Sequence, residues 1–541
     1  MLTLPLEPTD DRANPHFKDA ESCSQWLGQL QLTNLQLAHS LLLTQINELN
    51  RYPMRGLERL STLELLRETV GYVQDDYAKK LSSKPLPLNE SELMVFVAIV
   101  QLWQAMVLGY QRCLQAFVAG DKQLEKHGAL LCQRCLLYSG LEIFEHLRTG
   151  YEFDTKLWHQ LHELYAFAEQ YGLQTAEVAD LLNIKYQHSN CGSIYIKTLL
   201  ACYARPAELG RSQLHLLDKW LTQWSSALAM ERSYTTSKGD APPLAVDLRS
   251  THGLIPAKQI THNDSTRYLA MVPLSKLLRV KTILLQQGQT PQQIGLCEHC
   301  SSNDCIELLT FLHQCWCENA SARFAERRPV ERHAELCYKP ENIYAQLSGK
   351  PFKQPKRRDA ALGDTARKQI ETFGRVLQGA PDNKPAEMAV ALEKWQFDNE
   401  SILGACLTRN DILGERLNRN QLACLRPGDA ETFTLCITAW VNITHAGKLQ
   451  IGVRYLPGTP EAVDIRATSL NAAVSDKYVP AFLLPAIAAL KIPASLVIPR
   501  GWFNPGRTIE IMRQNAEKQN AKMNLSIEHG LDYERVGFTF A

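Results

Sequence analysis

The run Glu326–Arg332, ERRPVER, places arginines at 327, 328 and 332. A second run, Asp398–Leu407, DNESILGACL, places Asn399, Ser401 and Gly404 at intervals of two and three. An arginine guanidinium is a planar fork for phosphate oxygens and a flat cation that stacks on a purine. Asn and Ser carry short side chains that donate and accept hydrogen bonds. Glycine, lacking Cβ, permits φ > 0 or the close approach of a ligand. None of these groups needs a shifted pKa to act, so the chemistry on offer is binding rather than catalysis. Taken alone, the second run has other readings. It can be a turn, and Asn399-Glu400-Ser401 is formally a glycosylation sequon.

Other chemistry-bearing clusters are weaker. Cys297-x-x-Cys300 and Cys132-x-x-Cys135 have the spacing of zinc knuckles. From Cys305 onward, however, CIELLTFLHQCWC has the period of an amphipathic helix, in which cysteines serve as small core groups. No metal is expected. His162-Glu163 lacks the second histidine of a zincin helix, and the chain has no Walker loop, no dinucleotide-binding glycine fingerprint and no nucleophile elbow. An enzyme is not expected.

The elements that must position these residues follow from periodicity. Between about 20 and 235 apolar residues recur at three and four, as in SQWLGQLQLTNLQLAHSLLL and KLWHQLHELYAFAEQYGL, which predicts paired amphipathic helices. Trp158–Gly172 looks like the first helix of a tetratricopeptide-type repeat, but no 34-residue period is present, so a bundle and a repeat array both fit. The uncharged run Leu93–Gly109 contains Gln101 and Gln104 and is expected to be a buried core helix rather than a membrane span. A strand-and-loop insertion with connecting helices is expected over 241–325. From Arg332 onward the period becomes two: HAELCYKPENIYAQL, GACLTRNDI, TFTLCITAWVNIT and KLQIGVRYL read as short strands and turns. The stretch 349–393 reads as a polar insertion carrying Lys350, Lys353, Lys356, Arg357 and Arg358 close to the arginine run. In the tail, VPAFLLPAIAALK has a helical pattern, followed by strand-like pieces.

Net charge is +1, from 58 Lys and Arg against 57 Asp and Glu, so no global field draws nucleic acid or anionic membrane. Fifteen cysteines at irregular spacing and an N-terminus without basic or apolar signal regions point to free thiols in the cytoplasm. That compartment removes the sequon reading.

In this order the arginine run, a strand, the Asn-x-Ser-x-x-Gly run and the strands that follow resemble the PilZ domain, a bacterial β-barrel receptor for cyclic di-GMP. The resemblance covers about 326–456. It implies Arg327, Arg328 and Arg332 on the ligand's phosphates and guanines, with Asn399, Ser401 and Gly404 completing the cradle. The expected fold class is α+β multidomain. It comprises an all-α helical domain at 1–240 (bundle or tetratricopeptide-like), the 241–325 connection, a PilZ-like antiparallel barrel at 326–460 and a C-terminal extension at 461–541. The resemblance implies a receptor with cyclic di-GMP as ligand, no other cofactor, and output to an unidentified protein partner through the helical domain. The alternative is a helical scaffold whose barrel binds no nucleotide. Arg332 and Asn399 stand 67 positions apart, longer than that family's usual gap, so the two halves must meet across an insertion.

Overall fold

The computed structural model describes residues 4, 8–180, 182, 188–298, 300–318, 328–329, 332–354, 372, 392–410, 413–468 and 477–540. The chain divides into two compact units. One comprises Met1–Phe324 with Asn442–Gly447, the other Ala325–Val441 with Lys448–Ala541. The fold is α+β: a helical N-terminal part, then antiparallel barrels.

The first unit is built on long amphipathic helices around one apolar core. The helix Glu90–Val118 shows why they form. Asn89 caps it by accepting from Glu92 N while the Glu92 side chain returns to Asn89 N, which satisfies two of the otherwise orphaned donors. Phe96, Ile99, Trp103, Met106 and Tyr110 then recur at three and four and are all buried. Among the described residues this is the one helix long and apolar enough to cross a membrane, and 56% of its apolar window lies inside the protein. Cys132 and Cys135 lie buried in this core, and burial pushes both thiols up, as expected of packing groups. Leu244–Asp247 and Thr266–Leu269 pair within a small four-stranded sheet.

Cys297 and Cys300 form a disulfide, which corrects the expectation that the thiols are free. The sulfurs of Cys297, Cys300 and Cys305 lie within 4.8 Å of one another. The bond in the Cys-x-x-Cys pair follows from that proximity.

The second unit contains two closed barrels. The first uses β1 (Arg328–Pro329), β2 (His333–Tyr338), β3 (Glu393–Ser401), β4 (Gly404–Arg409), β5 (Leu422–Pro427), β6 (Thr434–Ile443) and β7 (Leu449–Tyr455). Six strands close in the order β2-β3-β4-β7-β6-β5, and β1 adds to β3. Alternate residues on one face fill it: Trp395 and Phe397 of β3, Ala334 and Leu336 of β2, Ala423 and Leu425 of β5 and Cys436 of β6. The second barrel closes β8 (Glu461–Ala467), β9 (Val479–Leu484), β10 (Ser495–Pro499), β11 (Thr508–Met512), β12 (Lys518–His529) and β13 (Tyr533–Phe540) in the order β8-β9-β10-β13-β12-β11. A shared apolar layer joins the barrels, with Ile343, Leu422 and Leu435 packed in one cluster with Phe482, Leu484 and Val497.

Two local expectations are corrected here. PENIYAQL, read as strand, is the helix Pro340–Ser348. Proline at its first position is preorganised for a helix start, and the helix turns Ile343 and Tyr344 into the layer between the barrels. VPAFLLP, read as helix, is strand β9. Pro480 cannot donate within a helix, and β9 finds its partners in β8 and β10 instead.

Candidate functional site

β3 and β4 form a tight hairpin. Ser401 pairs with Gly404, and Ile402 and Leu403 at the tip are exposed. The Ser401 hydroxyl donates to Gly404 O at 3.2 Å and accepts from Leu403 N at 3.4 Å, so it closes the turn. Gly404 has an ordinary φ, and the reason for glycine lies next door. A Cβ there would meet Val453 O of β7 at 2.0 Å, against backbone that cannot yield cheaply. The close approach is therefore to the neighbouring strand. Gly404→Ala is expected to destabilise the second unit by about 2–3 kcal/mol through overpacking; a thermal melt of the full chain that leaves this unit's transition in place would contradict it.

One residue farther back the hairpin carries a bulge. Cys406 pairs with Asn399 and Leu407 with Phe397, leaving Asp398 as the extra residue. Asp398 Oδ2 accepts from Thr408 Oγ1 at 2.6 Å and from Gln450 Nε2 at 2.9 Å. Asp398 is thus bound across three strands.

The arginine run meets this hairpin directly. In the backbone ladder Arg328 faces Glu400 and Pro329 faces Asn399. Arg332 lies where the chain enters β2, and its carbonyl accepts from Phe397 N at 3.0 Å. Its guanidinium stands 4.7 Å from the Phe397 ring centroid, within cation–π range. Nη1 donates to both oxygens of Asp429, at 2.9 and 2.7 Å, and Nη2 donates to Glu400. Its Nε is buried without a partner. Tyr455 Oη donates to Glu400 Oε1 at 2.8 Å, and burial followed by that bond pushes the phenol's pKa up.

The structure therefore brings Arg328, Arg332, Asn399, Ser401 and Gly404 onto adjacent strands. Arg327 lies outside the described residues, as do Lys356, Arg357 and Arg358. Lys350 and Lys353, expected beside the arginines, instead line a cavity with Asp464 and Arg513 of the second barrel. The cause is local: Gln354 exchanges two hydrogen bonds with the backbone of Tyr478 at 2.6 and 3.1 Å and holds the segment there. Sequence reasoning missed Glu400, Asp429 and Tyr455. Glu400 sits inside the Asn-x-Ser run, and Asp429 sits in the Pro-Gly-Asp turn, which carried only a turn signal.

Comparison with known proteins bears on the whole chain. Residues 21–234 match the family described as the N-terminal domain of the cyclic-di-GMP receptor FimW, and residues 464–541 match the FimW C-terminal β-barrel domain. Together these matches span more than half the chain, in order. The chain belongs to the FimW family. The curated cyclic-di-GMP receptor FimW of Pseudomonas aeruginosa is 22% identical over 568 aligned positions, covering 96% of this chain and 90% of that protein. The FimW C-terminal match falls on β8 to β13, and the FimW N-terminal match on the helical unit. The first barrel, with the arginine site, lies between the two matched regions.

Proposed function

We propose that this FimW-family chain is a cytoplasmic bacterial receptor for cyclic di-GMP, a binding protein rather than an enzyme. Arg328 and Arg332 take the phosphates and stack on guanine, and Asn399 meets a base or phosphate edge. Arg327 joins them. Ser401 and Gly404 keep the hairpin in shape. The observation that carries this reading is the pairing of Arg328 with Glu400 and of Pro329 with Asn399, which joins the two halves of the motif across the insertion. A two-phosphate ligand rewards converging guanidinium groups, because charge-assisted and bidentate bonds are the strong ones. The segment bearing the arginines follows directly on the helical unit in the chain. Ligand contacts at Arg328 and Arg332 are the route by which binding reaches a protein partner of the helical domain. Isothermal titration calorimetry of cyclic di-GMP into the full chain tests the reading: saturable 1:1 or 2:1 heat is expected, and its absence would leave the scaffold reading.

One observation speaks for the scaffold. Arg332 is already neutralised by Glu400 and Asp429. In a receptor these carboxylates compete with the ligand's phosphate and lower affinity. Glu400→Gln removes one competitor without removing the Tyr455 contact. Because Arg332 and Glu400 are each about a quarter exposed, the gain is modest, about 0.5–1 kcal/mol, or roughly twofold to fivefold tighter binding. Weaker binding by Glu400→Gln would show that Glu400 contacts the ligand instead of competing with it.

A further inference from the structure

The cavity lined by Lys350 and Lys353, of about 370 Å³, opens in the second unit between the segment after the helix Pro340–Ser348 and the second barrel. That volume falls in the range of small-molecule sites, about 300–1,000 Å³. Three cations line it: Lys350, Lys353 and Arg513. Arg513 spends one nitrogen on Glu461 at 3.3 Å, while its Nε is buried without a partner. On the other side stands a connected polar group. Gln514 Nε2 donates to Tyr344 Oη at 2.8 Å, and Tyr344 Oη donates to Asp464 Oδ1 at 2.6 Å. Tyr344 and Asp464 are almost fully buried. Pro351 and Met512 add apolar wall.

The two sides ask for different chemistry. The cationic side fits a phosphate, since Lys and Arg are the ordinary phosphate partners. On the other side the phenol and amide donors are spent inside the network, so what it offers a ligand is the acceptor capacity of a carboxylate. A carboxylate pairs with two adjacent N–H donors. Guanine presents such an edge in N1–H and its 2-amino group. Adenine sets one amino group beside an acceptor nitrogen, which a carboxylate repels.

We propose that this cavity is a site for a guanine nucleotide, separate from the arginine site of the first barrel, with the base read by Asp464 and the phosphates held by Lys350, Lys353 and Arg513. The site does not depend on the cyclic di-GMP reading, because none of its residues belongs to the arginine site. Burial raises the pKa of Asp464, and neighbouring Tyr344 and Lys350 oppose that rise, in keeping with a carboxylate that gains from paired donors.

The test is calorimetry of GDP, ADP and inorganic phosphate into the full chain carrying Arg332→Ala, which silences the first site. GDP is expected to bind once per chain, with affinity on the order of 10–100 μM, and ADP at least about tenfold more weakly. Lys350→Glu with Lys353→Glu changes two exposed residues and should leave the melting temperature in place while weakening GDP at least about tenfold. Asp464→Asn can still accept from Tyr344 and should erase the preference for GDP over ADP. Four results would overturn the proposal: no GDP heat, GDP binding indifferent to the two lysine changes, ADP equal to GDP in the otherwise unchanged cavity, or phosphate binding as tightly as GDP.

Discussion

Arg332→Ala is expected to weaken cyclic di-GMP binding by at least about 100-fold in a calorimetric titration, the largest effect of any single change in the first barrel. The residue sits where β1, β3 and the Pro427–Ala430 turn converge, with its guanidinium on Phe397 and its Nη atoms on Asp429 and Glu400. In the proposed complex the same fork meets phosphate oxygens. Loss of one partner of such a charge-assisted, partly desolvated pair costs about 2–5 kcal/mol, and 100-fold is about 2.7 kcal/mol. Arg332→Lys keeps the charge but not the planar fork, so it should fall between Ala and the parent. The folded state loses little, because the contacts of Arg332 to Asp429 and Glu400 are partly exposed. A variant that melts normally and titrates like the parent would remove Arg332 from the site.

The largest effect on stability is expected in the helical unit, at Arg134. Its side chain is 1% exposed on the helix Gly128–Thr149. Nε donates to Glu64 Oε1 and Nη2 to Glu64 Oε2, both at 2.9 Å, and Nη1 donates to Gln133 Oε1 at 2.7 Å. Asp180 lies 3.7 Å away and is shared with Arg67, and Tyr110 Oη donates to Glu64 Oε1 at 2.7 Å. Removing the central cation leaves buried Gln133 and the partly buried carboxylates of Glu64 and Asp180 without their partner, which costs about 3 kcal/mol, the lower end for a broken buried pair. Arg134→Met, which restores volume but not charge, should cost nearly as much, and denaturant unfolding of the full chain followed by far-ultraviolet circular dichroism will show it. A loss below about 1 kcal/mol would mean that Arg67 takes over.

The same network sets a pH dependence. Desolvation raises the Glu64 carboxyl's pKa, but the bonds and charge of Arg134, with Arg67 and Tyr110, outweigh it and hold the pKa below its usual 4.5. A depressed carboxylate contributes stability that is fully present above the unfolded value and fades as pH falls through the folded one. Acid unfolding of the parent should therefore steepen below about pH 4.5, and Arg134→Met should flatten that limb.

Much of this architecture was legible from residue order. The three-and-four repeat before residue 235 and the alternation after residue 332 report which faces are buried, because a helix and a strand expose side chains with different periods. Helical and barrel parts follow from that, and so does the proposal of two half-motifs, since Arg and Asn-x-Ser-x-x-Gly carry their chemistry in their types. Short segments were less legible. PENIYAQL and VPAFLLP each hold a few apolar residues, too few for either period to prevail, and what decided them was the layer between the barrels for one and strand partners for the other.

By itself, then, the sequence determined element types over long periodic stretches, the absence of a global charge, and the residue types able to grip a phosphate-bearing ligand. Tertiary structure decided which of them meet. Arg328 reaches Glu400 only because β1 adds to β3, and Arg332 reaches Asp429 across 97 positions of chain. Gly404 is glycine because β7 passes at its back, and Lys350 and Lys353 face the second barrel because Gln354 is tied to Tyr478. Each of these is a contact between residues far apart in the chain, and local pattern carries no information about such contacts.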